Sequence, residues 1–302
     1  MNNKISIKVP RKLRQAFFHY VWSFKPRSFS PSNVPVSVLI PLAAKDLEQA
    51  ALALQSIRKF VSHPIENIYI VGQNDDQIRS FCHQNATIYI NEEDILPESI
   101  KNLTYEIAGK SQNGWIRQQI IKLTSFAYID AKTILVHDAD TIFVRPISFM
   151  DKDERQLLFT SDEYLKSYHR MTEKLLGPTP RYPRSFIAHG MLFQRDLMAA
   201  LHNTIQINCG MGLVDAVITH LALNDGAALS EYEVYGNYLY SHFRDRIYLT
   251  YWFNYQITHP IAMNFDVLTR RFARFNSVSR HIRPNHRKKP RLMRRLIAMF
   301  TR

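Results

Sequence analysis

A chain of 302 residues, 46% hydrophobic and 22% charged, has the apolar material for one large domain with room for a terminal appendage, which excludes a disordered chain and a small disulfide scaffold. The formal net charge of +13 is unevenly spread: twelve Lys/Arg and no acid lie between Arg270 and Arg302, seven and none between Met1 and Ser30, and twenty in the middle alongside all 26 Asp/Glu. Cationic ends on a mildly acidic body point to attachment to a polyanion, and no base-reading motif accompanies the charge, so a specific nucleic-acid partner is not expected.

The two cysteines, Cys82 and Cys209, have no metal-ligand spacing and read as reduced thiols. Ala16–Phe24 is interrupted by His19 and Ser23 and lacks a cleavage site, so neither a signal peptide nor a membrane span is expected. Residues 1–33 form a basic arm with a helix over Lys12–Trp22, ended by Pro26, Pro31 and Pro35. The body, 34–269, opens with an apolar strand at Val36–Ile40, a helix over Leu47–Val61 and a second strand at Ile65–Val71. A loop follows at 72–76, then a short helix over Gln77–Gln84, a strand at Thr87–Ile90, an amphipathic helix over Trp115–Ile129 and a strand at Lys132–Val136. Alternation of strand and helix predicts an α/β fold with a mostly parallel central sheet, and in such sheets ligands bind beyond the carboxyl ends of the strands, where the loops 72–76 and 137–140 fall. The second half is less regular. Strands are expected at Gln156–Thr160, Phe186–Phe193, Tyr248–Trp252 and Gln256–Ile261, a helix at Val214–Leu223, and a Tyr-rich helix or extended segment at Glu231–Phe243.

Chemistry concentrates in Ile134-Leu135-Val136-His137-Asp138-Ala139-Asp140-Thr141-Ile142-Phe143. Two carboxylates at i and i+2 beyond a strand can converge, and side by side they repel. A divalent cation removes that penalty, and an all-oxygen donor set suits Mn²⁺ or Mg²⁺ together with substrate phosphates.

Strand, Asp-x-Asp, then a second apolar run ending at Pro146 resembles the GT-A nucleotide-sugar glycosyltransferases, the likeness being clearest over Gly114–Pro146. Ser230-Glu231-Tyr232-Glu233-Val234-Tyr235-Gly236-Asn237-Tyr238 is similar to a poorly characterised bacterial branch of that superfamily, and the resemblance spans about 35–265. It implies a single GT-A, Rossmann-like domain acting as a hexosyltransferase-like enzyme on a nucleotide-sugar donor and a saccharide or glycolipid acceptor, of lipopolysaccharide core or capsule type. By this likeness Asp140 ligates the metal, Asp138 binds metal or donor ribose, and His259 is the third ligand. Asp75 and Asp76 are candidates for the nucleoside, and Arg117 and Lys122 for a phosphate, with an exposed helix face as the plain alternative for the two cations. His189, Gly190 and Tyr235 are assigned to the acceptor side. A general base is sought among Glu231, Glu233 and Asp162.

Residues 270–302 form a basic tail. Within it, Arg291–Arg302 places Leu292, Met293, Leu296, Ile297, Met299 and Phe300 opposite its arginines, a cationic amphipathic helix suited, with Arg280–Lys289, to an anionic membrane surface. The expected location is therefore cytoplasmic, peripheral on the inner face of the inner membrane. Two other functions fit part of the pattern. A sugar nucleotidyltransferase is disfavoured because Pro41–Asp46 has no Gly-rich loop; a non-catalytic membrane-associated saccharide-binding protein would dispense with Asp140.

Overall fold

The computed structural model describes residues 32–107, 109–222, 228–257 and 264–280. The arm up to residue 31, His259 and the tail helix expected over Arg291–Arg302 lie outside the described residues.

In chain order the elements are β1 (Val36–Pro41), α1 (Leu47–Phe60), β2 (Ile65–Gly72), α2 (Asp76–Gln84), β3 (Ile88–Asn91), α3 (Asn113–Leu123), β4 (Thr133–His137) and β5 (Thr141–Phe143). They continue with β6 (Gln156–Thr160), α4 (Lys166–Leu176), β7 (Gly190–Gln194), α5 (Arg195–Cys209), α6 (Leu213–Ala222), α7 (Glu231–His242), β8 (Ile247–Tyr251), β9 (Asn254–Gln256), α8 (Phe265–Arg271) and β10 (Ser277–Ser279). The chain divides into two compact units.

The larger unit takes Asn33–Ile147, His189–Ala199 and the described chain from Asn254 onward. Its main sheet has the order β3-β2-β1-β4-β7, parallel throughout except where β7 runs antiparallel to β4. Every residue of β1 and β4 is buried, which is why both read as mainly apolar runs: a strand covered on two faces has no solvent side to alternate with. A smaller sheet, β9-β10-β5, closes on a core of Ile142, Val144, Ile257, Phe265, Leu268, Phe272 and Val278. The fold thus continues past residue 269, through a strand drawn from the stretch expected to be tail.

The smaller unit takes Ser148–Ala188 and Ala200–Phe253. Here β6 and β8 pair in parallel, from Gln156 opposite Ile247 to Thr160 opposite Tyr251. Helix α7 starts at Ser230, whose Oγ accepts the Glu233 N–H, and buries every residue from Glu231 to Leu239. A helix covered all round is a core helix, and its weak amphipathicity is why sequence pattern left it undecided between helix and strand.

Three expectations shift. Helix α3 stops at Leu123, where Thr124 Oγ1 turns back to the Ile120 carbonyl at 2.8 Å and a short 3₁₀ turn follows. The strand expected from Phe186 begins only at Gly190, because His189 adopts a left-handed backbone with φ of 56°. Helices α4 and α5 were not anticipated at all.

Candidate functional site

Parallel pairing of β1 with β2 and β4 brings the ends of these strands to one edge of the larger unit, and the expected chemistry gathers there. Asp138 follows the last residue of β4. Its Oδ1 lies 2.5 Å from Lys122 Nζ and its Oδ2 accepts from His189 Nδ1 at 3.1 Å. The Asp138 N–H donates to the His189 carbonyl at 3.1 Å, so backbone and side chain fix the same pair. Burial alone would raise the Asp138 carboxyl; the Lys122 ammonium and His189 outweigh it and hold the group well below the usual carboxylate range. Lys122 is only 2% exposed, so it is not on an exposed helix face: α3 turns it inward to the carboxylate.

The neighbouring histidine is built differently. His137 is wholly buried, donates from Nε2 to the Thr141 carbonyl at 2.7 Å, and is pushed down to about 4 by burial, so it stays neutral. A Cβ at Gly190 would stand 3.0 Å from its Nδ1. Gly190 therefore makes room for the His137 ring opposite it in the β4–β7 ladder. Asp140 is half-buried; Thr141 Oγ1 lies 3.4 Å from its Oδ1, and the Arg280 N–H donates to its carbonyl at 3.2 Å.

At the same edge a cavity of about 350 Å³ opens beyond β1 and β2, lined by Leu42, Ala43, Gln73, Glu92, Asn113, Gly114, Arg117 and Gln118. Gly114, Gln118 and Lys122 fall four residues apart on α3, so one stripe of that helix runs from the cavity to the Asp138 ion pair. Sequence reading marked Lys122 and Arg117 but missed Gly114 and Gln118, although the four-residue spacing was there to be read. Arg117 is held in the cavity wall by Glu92 at 3.0 Å, Glu93 at 2.9 Å and the Lys101 carbonyl at 2.7 Å.

Asp75 and Asp76 have local partners on and beside α2. Asp75 caps α2, accepting from the Gln77 N–H at 2.7 Å and the Ile78 N–H at 3.3 Å, and Asp76 pairs with Arg79 on the surface. Neither lines the cavity.

The remaining candidates belong to the smaller unit. Glu233 is 0% exposed; its Oε1 accepts from Ser185 Oγ and the Phe186 N–H, and its Oε2 from Asn237 Nδ2 at 3.0 Å. Burial without a cation pushes it up to about 7. Asn237 also accepts the Tyr182 N–H at 3.0 Å, and a Cβ at Gly236 would meet the Phe186 ring at 2.5 Å. The polar and small residues of the Tyr-rich segment thus grip one stretch, Tyr182–Phe186. Tyr235 is fully buried, with its hydroxyl 3.5 Å from Gln156, which places it in the core and corrects its assignment to an acceptor surface. Glu231 and Asp162 are also buried, the latter accepting from the Tyr251 hydroxyl at 3.3 Å.

The donor set does not fit a resident Mn²⁺ or Mg²⁺ shared by the two aspartates. Both Asp138 oxygens are engaged by Lys122 and His189, and a cation on Oδ1 would sit against the ammonium. Among the described residues no three His, Cys, Asp or Glu side chains are grouped to hold a metal ion.

A family model described as a family of unknown function (DUF6492) matches residues 33–269, and the chain belongs to that family. No curated protein matches it in sequence. Among solved structures it is similar to an active-site mutant of LgtC, at 14% identity over 88% of this chain and 95% of that one, with a TM-score of 0.48. The mouse xyloside xylosyltransferase 1 in its apo form gives 12% identity, coverage of 82% and 97%, and a TM-score of 0.44. Galactosyltransferase LgtC in complex with donor and acceptor sugar analogs gives 14%, 82% and 88%, and 0.47.

Proposed function

We propose that this member of the family matched over residues 33–269 is a glycosyltransferase of GT-A type, moving a sugar from a nucleotide-sugar to a saccharide or glycolipid acceptor of the lipopolysaccharide core or capsule kind. The observation that carries the reading is the stripe on α3. Eight residues separate Gly114 in the cavity from Lys122 at Asp138, about 12 Å at helical rise, which is the span of a nucleoside diphosphate. Base and ribose occupy the cavity between Leu42, Gln73 and Gln118, and the diphosphate extends along α3 toward Asp138 and Asp140. Lys122 and His189 hold Asp138 in place beside the negative charge that develops as the sugar–phosphate bond breaks. For the general base, Asp162, Glu231 and Glu233 are the proposed candidates.

The test is ligand-induced thermal stabilisation. Nucleoside diphosphates and nucleotide-sugars are expected to raise the melting temperature of the wild-type chain. Gly114→Leu should abolish the rise without unfolding the protein, since a Cβ there meets nothing within 4 Å. A wild-type chain indifferent to every nucleotide, yet stabilised by free saccharide, would replace transfer with the saccharide-binding reading.

The basic residues from Arg280 onward are proposed to hold the enzyme on the cytoplasmic face of the inner membrane, where a lipid-linked acceptor lies. Among the described residues no helix is long and apolar enough to cross a membrane. Deleting 281–302 is expected to abolish sedimentation with anionic vesicles and to leave nucleotide binding unchanged.

A further inference from the structure

Asp138 and Asp140 raise an electrostatic question that sequence alone answers with a shared dication. The structure answers it differently at one of the two. Lys122 comes from the last turn of α3, is almost entirely enclosed, and ends 2.5 Å from Asp138 Oδ1. His189 closes on Oδ2 from the residue before β7, held by its left-handed backbone and by the Asp138 N–H on its carbonyl. An enclosed ammonium cannot move to solvent without opening the helix that carries it, and it is held where it compensates this carboxylate. A divalent ion on Asp138 would have to displace it or tolerate like charge at contact distance.

We infer that Lys122 is a built-in counter-cation which takes, at Asp138, the place of a divalent metal, so that Asp138 is a positioning residue and not a metal ligand. The inference rests on the site assigned under the proposed function but not on the reaction, and its test uses metal alone.

Mn²⁺ is titrated into the full chain and free ion is read by electron paramagnetic resonance. Asp138→Asn is expected to leave Mn²⁺ affinity within about two-fold of wild type. Lys122→Met should tighten it at least ten-fold by freeing the carboxylate, and adding Asp138→Asn to Lys122→Met should reverse the gain. Lys122→Gln, which keeps a hydrogen-bond donor to Asp138, serves as a second variant should the methionine fail to fold. Lys122→Arg, which keeps the charge, should behave as wild type; a role confined to packing would not follow charge in this way. Ten-fold weaker Mn²⁺ binding in Asp138→Asn, or no gain in either neutral variant of Lys122, would overturn the inference. Either result leaves the Gly114→Leu nucleotide experiment to decide the transfer reading separately.

Discussion

Two carboxylates, one in each unit, meet opposite fates. Asp138 has an ammonium and an imidazole against its oxygens and is held ionised. Glu233 has a hydroxyl, a backbone N–H and an amide against its own, three good hydrogen bonds, and is pushed up to about 7 all the same. Burial raises both, so the sign of the neighbours decides. Neutral donors soften the cost of burying an anion; a buried cation cancels it.

The largest effect should come from removing that cation. Lys122→Met leaves Asp138 charged and half-enclosed, and a loss of about 3 kcal/mol is expected in urea unfolding at pH 7, the low end for a broken buried pair because a quarter of the aspartate faces water. No loss would mean that the two carboxylates are equivalent after all. Next comes the pH dependence of Glu233. Its folded pKa lies above the value near 4.5 of the unfolded chain, so between about 4.5 and 7 the native state holds the extra proton and stability falls as pH rises. The fall is on the order of 3 kcal/mol in total. Glu233→Gln should flatten that part of the profile, and a slope that survives would assign the titration to another group. Gly236→Ala drives a methyl into the Phe186 ring and should cost about 2 kcal/mol, a measure of how tightly α7 holds Tyr182–Phe186. Smallest is Asp75→Ala, about 1 kcal/mol for a lost helix cap with nucleotide stabilisation unchanged. A lost nucleotide response would return Asp75 to the ligand.

Much of the larger unit was legible because its strands are parallel and covered on both faces, which writes them into the sequence as mainly apolar runs such as Val36–Ile40 and Ile134–Val136. Loop residues were harder. Asp75 and Asp138 follow strands alike, yet one caps a helix and the other binds a lysine sixteen residues back, and no local pattern separates them. Lys122 misled because a cation on a helix usually faces solvent, and only the packing of α3 against β1 turns it inward. Tyr235 read as an acceptor contact because aromatic and polar residues crowd together in its segment. They serve a helix with no outside, where every side chain must find a partner within the protein.

Strand β10 carries a mechanical consequence. Val278 lies opposite Ile142 in the β5 ladder, and the next residue but one, Arg280, donates its N–H to the carbonyl of Asp140. The basic extension is therefore riveted at its root to the peptide of the second aspartate. A chain trimmed at residue 269, where the family match stops, would strip β5 of a neighbour and leave that carbonyl unbonded by Arg280. Any pull exerted on the extension by a surface would be felt first at Asp140, through a tether one hydrogen bond long.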